Sequence, residues 1–268
     1  MLRVGLIGCG TIGSRMALWL QRAYAARARV TALHDSNPAN AATLQRCLTR
    51  PPAIVSLPTL IRRSDLIIEA ASAAVAADVV RRAARANRDV LVMSVGGLLL
   101  DRTWQRVAAR SRARIYLPSG ALVGLDGVKA MAVGRLHRIS LTTRKPPKAL
   151  ADAPYVRRKR LHLTRLTRPS LIFEGSPRAA VRAFPQNTNI AAALTLASGV
   201  SDRRARIRVI ADPAIRRNIH ELDVEGDCGR LQCRVESVPS ENPKTSELAV
   251  RSAIATLRRL LEPVAIGT

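Results

Sequence analysis

The sequence predicts an α/β protein whose N-terminal half forms a doubly wound parallel sheet. The first observation is a series of short apolar segments that alternate with segments rich in Ala and Leu. The second is that few polar residues interrupt the apolar segments, as in strands that are buried on both faces. The third is a glycine-rich loop between the first apolar segment and the first helical segment. This alternation produces a parallel sheet with helices on both sides.

The predicted elements follow one another at short intervals, and their order changes after Gly120. The predicted strands of the first half are 4–7, 30–34, 66–70, 90–94 and 115–117, and its predicted helices are 14–26, 73–86 and 101–110. The second half contains predicted helices 122–131, 178–183, 190–197 and 245–261, and predicted strands 139–143, 171–173, 206–211, 219–224 and 231–238. The last three strands are expected to be antiparallel, with a turn at 226–229.

The composition is that of a globular protein with room for one large domain or two ordinary ones. The chain has 268 residues, of which 47% are hydrophobic. No apolar segment is long enough to cross a membrane, and the apolar N-terminus is too short for a signal peptide. The four cysteines form no CxxC pair, and no His/Cys spacing is typical of a metal site. We therefore expect a cytoplasmic protein with reduced thiols and no metal.

The charge balance is unusual. Forty-four Lys and Arg residues against nineteen Asp and Glu residues give a net charge of +25, which attracts polyanions. The basic residues are spread along the chain, however, and only 155–160 is a dense basic segment. Aromatic residues make up 3% of the chain, too few for a base-stacking surface. We expect a solvated, arginine-rich surface rather than a nucleic-acid partner.

The glycine-rich loop has the spacing of a dinucleotide-binding fingerprint. Gly8 permits a tight turn out of the strand, and Gly10 lets the backbone approach a pyrophosphate. Gly13 lets the helix lie close to the sheet, and the N-terminus of that helix favours phosphate. Because the loop follows a strand and begins a helix, it predicts a Rossmann domain. The expected cofactor contacts are Gly8, Gly10, Thr11, Ile12 and Gly13.

Asp35 ends the second predicted strand, where the fingerprint requires an acid. Its carboxylate would accept hydrogen bonds from the ribose hydroxyls of the adenosine, and its charge would repel a 2′-phosphate. The sequence therefore favours NAD, with NADP as the second possibility. The alternative interpretation of Asp35 is an ordinary turn aspartate.

Several segments of the chain together resemble the L-aspartate dehydrogenase family. They are 119–121, 142–146, 184–194, 218–222 and 240–246, and they run in order over nearly the whole chain. The resemblance implies a Rossmann domain over 1–119 and an α+β domain over 120–242 that builds the active site and subunit contacts. It also implies a C-terminal helix, 243–268, that returns to the first domain. The chain departs from the family in its basicity and in an insert-like segment at 153–169.

The resemblance also implies a reaction. L-Aspartate is oxidised by NAD through iminoaspartate to oxaloacetate and ammonia, or the imine is passed on to NAD biosynthesis. A homodimer or a higher homo-oligomer is implied as well. A dicarboxylate needs cationic or N–H donors, but the composition does not select among the many basic residues.

By the same resemblance, His220 is the catalytic residue. Imidazole titrates near neutrality, so it can carry protons while hydride leaves the substrate. If Ile219 points to the core, the alternation of the strand directs His220 towards a cleft. The other histidines are His34, His137 and His162, and Lys145 is the first candidate to replace His220 in the mechanism.

Three further residues are expected near the nicotinamide. Ala121 and Asn187 resemble cofactor contacts of the family, and Asn189 takes this role if the loop is shifted by two residues. The alternative for both asparagines is capping of the helix that follows.

Two other functions remain open from the sequence. A sibling two-domain reductase that acts on homoserine, dihydrodipicolinate or a sugar alcohol would have the same architecture. A basic, nucleotide-sensing binding protein would bind NAD without turning over an amino acid.

Overall fold

The computed structural model describes residues 1–185, 188–201, 204–238, 240, 246–264, 266 and 267. The chain divides into two compact units. Unit 1 comprises Met1–Pro118 and Ser252–Ala265, and unit 2 comprises Ser119–Arg251 and Ile266–Thr268. No helix of the described part has both the length and the apolar character needed to cross a membrane.

Unit 1 is built on a six-stranded sheet with the order β3-β2-β1-β4-β5-β6, in which every pair is parallel. Its strands are β1 (Leu2–Ile7), β2 (Ala28–His34), β3 (Ala53–Ile54), β4 (Leu66–Glu69), β5 (Asp89–Val92) and β6 (Ile115–Tyr116). Its helices are α1 (Thr11–Ala23), α2 (Pro38–Cys47), α3 (Leu57–Arg63), α4 (Ala73–Arg85), α5 (Val95–Leu100) and α6 (Thr103–Ala109). This strand order is that of a Rossmann fold, which confirms the predicted fold class.

Unit 1 contains three helices that the sequence analysis did not predict, α2, α3 and α5. α2 begins at Pro38 after Asn37, whose side chain accepts a hydrogen bond from the Ala39 N–H. α3 is short, and α5 contains two adjacent glycines. A Cβ at Gly97 would collide with the carbonyl oxygen of Ala73, so this glycine permits the close packing of α5 against α4.

Unit 2 is built on a five-stranded sheet with the order β11-β10-β7-β9-β8. The strands are β7 (Leu136–Lys145), β8 (Ser170–Gly175), β9 (Ala205–Ala211), β10 (Asn218–Gly226) and β11 (Gly229–Ser237). The helices are α7 (Leu125–Met131), α8 (Pro147–Leu150), α9 (Pro154–Arg158), α10 (Pro177–Ala183) and α11 (Asn189–Ser198). The last helix, α12 (Glu247–Leu261), begins in unit 2 and belongs to unit 1 from Ser252 onward. The mixture of strands and helices confirms the α+β class of this part.

The prediction of three antiparallel C-terminal strands is partly wrong. β10 and β11 form the expected hairpin with its turn before Gly229, but β9 does not pair with β10. Instead β9 lies parallel to β7 and antiparallel to β8. Parallel pairing needs a long connection, and the chain between β7 and β9, which includes α10 and α11, supplies it.

The two faces of the unit 2 sheet differ in chemistry. Leu222 and Val224 of β10 belong to the apolar core of this unit, together with Ala191 and Leu194 of α11. The alternate residues of β10 carry carboxylates on the opposite face, where Glu221 contacts an arginine of β7. One face of the sheet is therefore apolar and covered, and the other is lined with ion pairs.

The insert-like segment, 153–169, is part of unit 2 and packs against its other elements. Tyr155 contacts the ring of Phe173 edge-on at 5.4 Å between centroids and lies 5.5 Å from Phe184. Val156 and Leu163 are buried in the same cluster. The segment thus shares a small apolar cluster with residues of β8, β9 and α10.

The C-terminal helix completes the core of unit 1. Ala253 and Leu257 of α12 are fully buried among core residues of the Rossmann sheet and of α1. The Tyr24 hydroxyl donates to a carboxylate oxygen of Glu262 at 2.5 Å, and Arg27 donates to the Leu261 carbonyl at 2.9 Å. The return of this helix to the first domain agrees with the expected architecture.

Candidate functional site

The glycine loop of unit 1 has the conformation that its sequence predicts. Gly8 has a φ of +89°, which residues with a side chain rarely adopt. A Cβ at Gly13 would collide with the Gly8 carbonyl oxygen, so helix α1 can lie this close to β1 only with glycine at that position. The two outer glycines therefore shape the turn itself.

Gly10 differs from the other two glycines because it faces open space. A Cβ added there would meet no described atom of the chain within 4 Å, although the residue has an ordinary extended backbone. It precedes α1, and the first turn of α1, which contains Thr11 and Ile12, carries no acidic residue. Free backbone N–H groups and the helix dipole make this end suitable for a pyrophosphate. The residues present thus fit a dinucleotide.

Asp35 directly follows β2 and lies beside the glycine loop. Its Oδ2 accepts a hydrogen bond from the Cys9 N–H at 2.7 Å, and its Oδ1 accepts one from the Asn37 N–H at 2.8 Å. Oδ1 also accepts from the Asn40 side-chain amide at 3.5 Å. Oδ2 can accept a further bond, so the carboxylate retains capacity for a ribose hydroxyl. The carboxylate is partly exposed.

Glu69 is a residue of this region that the sequence analysis missed. It ends β4, is fully buried, and accepts hydrogen bonds from the Ala71 N–H at 2.9 Å and the Ser94 N–H at 3.1 Å. The Ser94 hydroxyl donates a third bond at 2.9 Å. Burial raises the pKa of this carboxyl, which the hydrogen bonds counteract. Glu69 therefore ties together the segments that follow β4 and β5, at the edge of a parallel sheet where ligands bind.

His220 lies in β10 of unit 2, directly opposite Thr143 of β7. Its Nδ1 is 3.2 Å from the Thr143 hydroxyl, and the imidazole is 4% exposed. Lys145, two residues further along β7 on the same face, is equally buried. The three polar side chains thus form a buried group at one end of the covered face of the sheet.

The electrostatics of this group favour a neutral imidazole. Burial, and secondly the positive charge of Lys145, lowers the pKa of His220 to about 3. Burial lowers the pKa of Lys145 to about 8. The expectation that His220 titrates near neutrality is therefore wrong for the protein without a ligand, because the imidazole is desolvated and lies near a cation.

The expected direction of His220 also needs correction. His220 shares its face of the sheet with the core residues Leu222 and Val224, whereas Ile219 lies on the face of Glu221. Both Ile219 and His220 are nevertheless buried. His220 occupies the end of the apolar face, where the hydrophobic side chains give way to polar ones.

The other histidines lack such surroundings. His34 lies in β2 with its Nδ1 3.0 Å from the Val55 carbonyl oxygen, and His137 and His162 are exposed. No group of three His, Cys, Asp or Glu side chains within the described ranges could hold a metal ion.

Of the residues expected near the nicotinamide, Ala121 and Asn189 belong to unit 2. Ala121 is buried in the apolar core of that unit, one residue after Gly120 with its φ of +66°. Asn189 is the first residue of α11, and the cap position before it is Thr188. The capping alternative therefore does not apply to Asn189, and Asn187 lies outside the described residues.

The buried imidazole gives a testable dependence of stability on pH. The unfolded state takes up a proton at His220 near pH 6.5, and the folded state does so only near pH 3. Between these values the unfolded state binds more protons, so stability falls as the pH falls through this window. The slope from this group reaches about 1.4 kcal/mol per pH unit.

Urea unfolding at a series of pH values measures this effect. His220→Asn should remove the part of the slope that His220 causes. Glu69 also has a shifted pKa and contributes to the pH dependence of both proteins, so its contribution cancels when the two free energies of unfolding are subtracted. Parallel curves for the two proteins from pH 6.5 to pH 3 would contradict the buried, neutral state of His220.

A dinucleotide-binding loop on a parallel sheet, with a buried imidazole and amine in a second α+β unit, defines a two-domain nicotinamide-dependent oxidoreductase. Comparison with known families agrees with this class. Residues 8–118 match the NAD binding domain of homoserine dehydrogenase, and residues 126–260 match the C-terminal domain of aspartate dehydrogenase.

Individual proteins specify the family. The chain is 43% identical to an L-aspartate dehydrogenase of Methanosarcina barkeri, with all of both chains covered. It is 39% identical to L-aspartate dehydrogenase 3 of Bordetella bronchiseptica, covering all of this chain and 98% of that one. The crystal structure of aspartate dehydrogenase from Thermotoga maritima has a TM-score of 0.76 at 22% identity, with full coverage of both chains. The chain belongs to the aspartate dehydrogenase family.

Proposed function

We propose that this protein catalyses the NAD-dependent oxidation of L-aspartate to iminoaspartate, which water converts to oxaloacetate and ammonia. The observation that carries the proposal is the buried group of His220, Lys145 and Thr143 in a chain of this family. When bound, the nicotinamide supplies the hydride acceptor. Proton transfers and recognition of the carboxylates are left to side chains of the protein.

The low pKa of His220 suits a proton acceptor that is unprotonated before the substrate binds. Thr143 holds Nδ1 of the imidazole, which leaves Nε2 to exchange a proton with the substrate amine or with the attacking water. A substrate carboxylate near Lys145 would balance the charge that lowers the pKa of His220. Substrate binding would thus raise the basicity of the imidazole, and with it the efficiency of proton transfer.

The cofactor contacts proposed for unit 1 are Gly8, Gly10, Thr11, Ile12, Gly13 and Asp35, and those proposed for unit 2 are Ala121 and Asn187, or Asn189 in its place. The open space at Gly10 and the carboxylate at the end of β2 support the first set. The second set rests on the resemblance to the family.

The role of Asp35 predicts a preference for NAD over NADP. Asp35→Ser should weaken NAD binding by about 10- to 100-fold, because a charged hydrogen-bond acceptor is lost. The same change should improve NADP use, because the negative charge that repels the 2′-phosphate is gone. Kinetics with each cofactor measure both effects, and Asp35→Asn, which removes only the charge, is the matched control. If the unmodified protein already prefers NADP, the role of Asp35 is wrong.

A panel of substrates tests the proposed function. The reduced nicotinamide absorbance is followed with L-aspartate, homoserine and a sugar alcohol, each with NAD and with NADP. Turnover of homoserine but not of aspartate would replace our proposal by the sibling reductase, which shares the matched N-terminal domain. NAD binding without any turnover, together with salt-sensitive DNA binding, would favour the basic nucleotide-sensing protein.

We also propose a cellular compartment and an oligomeric state for the protein. The four free cysteines suit a reducing compartment such as the cytoplasm. A homodimer or a higher homo-oligomer is expected from the family resemblance, and sedimentation of the purified protein decides the oligomeric state.

A further inference from the structure

Two buried polar side chains near His220 have no hydrogen-bond partner among the residues that the structure describes. Asn218 of β10 and Ser237 of β11 lie directly opposite each other, and they are 1% and 6% exposed. Both polar side-chain atoms of Asn218 are unpaired, as is the hydroxyl of Ser237. Buried polar groups are nearly always paired, because an unpaired one costs about 1–3 kcal/mol. Such a pair of unpaired residues indicates a place where a ligand supplies the missing bonds.

The strand register places these side chains in one row with Lys145. Ile219 of β10 faces Arg144 of β7, so one step further Asn218 and Lys145 lie side by side on the face of His220. The row therefore runs across three strands, from Ser237 through Asn218 to Lys145. Two residues separate it along the strands from the pair of His220 and Thr143, a distance of about 7 Å.

The chemistry of the row favours an anion. The ammonium of Lys145, the amide N–H groups of Asn218 and the hydroxyl of Ser237 are all donors. The acidic residues Glu221 and Asp223 of the same strand lie on the other face, where each pairs with an arginine. The carboxylate of Asp212, which follows β9, accepts a hydrogen bond from the Ala214 N–H in its own turn.

We infer that Lys145, Asn218 and Ser237 form a subsite that binds one carboxylate of an amino-dicarboxylate substrate, beside the proton-transferring His220. This inference rests on the proposed function for the identity of the substrate. In this arrangement, a row of side chains at the end of the unit 2 sheet makes the protein selective for a dicarboxylate. The amide oxygen of Asn218 remains available to the substrate amine.

The test uses variants that remove the polar atoms but keep the volume. Asn218→Leu and Ser237→Ala should leave the melting temperature unchanged or raise it, because they remove polar groups that are unpaired in the free protein. Both should weaken binding of succinate, a dicarboxylate without an amine, by about 10- to 100-fold, since each removes a hydrogen bond to a charged group. Calorimetry with the NAD-saturated protein measures the binding without turnover.

Thr195→Val is the matched control. Thr195 is as buried as Asn218, but its hydroxyl already donates to the Ala191 carbonyl at 2.7 Å. This variant should keep the affinity for succinate. Unchanged succinate affinity in both Asn218→Leu and Ser237→Ala would overturn the subsite, even if the protein oxidises aspartate. If aspartate is not oxidised but these variants lose succinate, the proposed function fails and the subsite stands.

A comparison of L-aspartate with L-asparagine as competitors then shows which carboxylate of aspartate binds to the row of Lys145, Asn218 and Ser237. Asparagine keeps the α-carboxylate and lacks the side-chain one. If Asn218→Leu weakens the binding of aspartate but not of asparagine, the row binds the side-chain carboxylate. If it weakens the binding of both amino acids equally, the row binds the α-carboxylate. Either result supports the subsite.

Discussion

Replacement of His220 by alanine is expected to lower kcat for L-aspartate by about 10²–10⁴, the range typical of lost acid–base catalysis. The imidazole is neutral and held at Nδ1 by Thr143, so its loss removes the proton acceptor of this group. NAD affinity should change little, because the glycine loop belongs to the other unit. Steady-state kinetics, NAD titration and thermal unfolding measure the three quantities.

His220→Asn separates proton transfer from packing. An amide nearly fills the volume of the imidazole but does not titrate, so kcat should be as low as in His220→Ala. A lower melting temperature and lower NAD affinity, with kcat per folded molecule unchanged, would instead identify a structural histidine. The mechanism would then have to be rebuilt around Lys145.

Gly10→Ala and Gly13→Ala are expected to lose NAD binding for different reasons. At Gly10 a methyl group meets open space and an allowed backbone, so stability should be unchanged within about 0.5 kcal/mol. The methyl group would occupy the space that the pyrophosphate needs, and NAD affinity should fall by about 10- to 100-fold.

At Gly13 the same methyl group collides with the Gly8 carbonyl oxygen in the protein itself. Gly13→Ala should therefore lower the free energy of unfolding by about 1–3 kcal/mol and also weaken NAD binding. Chemical unfolding and NAD titration of both variants make the comparison. Normal NAD affinity in Gly10→Ala would show that the dinucleotide does not approach the loop at that residue.

The Rossmann half of the fold could be predicted because its strands are buried on both faces. Such strands are continuous apolar segments, and the loop between β1 and α1 has a distinctive spacing. α2 and α3 escaped prediction because short helices with a weak apolar face resemble loops. The pairing of β9 with β7 and β8 could not be predicted, because an apolar pattern indicates a strand but not the strands with which it pairs.

The candidate site was predictable only in part. His220 was selected by a family resemblance, and its burial beside Lys145 is a tertiary effect that no local pattern contains. One sequence pattern does indicate that Lys145 is buried. Ile139, Leu141 and Thr143 alternate along β7 on the covered face, and Lys145 continues the same alternation. A similar signal for Glu69 is an acid that ends an apolar strand.

The burial of Ala253 and Leu257 in unit 1 has a consequence for biosynthesis. The ribosome delivers the chain from its N-terminus, and domains usually fold in that order as they emerge. Here most of the first unit emerges before unit 2, but Ala253 and Leu257, which belong to its core, are made only after unit 2. Until α12 is made, the apolar cluster of unit 1 lacks Ala253 and Leu257. The nascent N-terminal unit therefore exposes apolar surface until unit 2 and α12 have been synthesised.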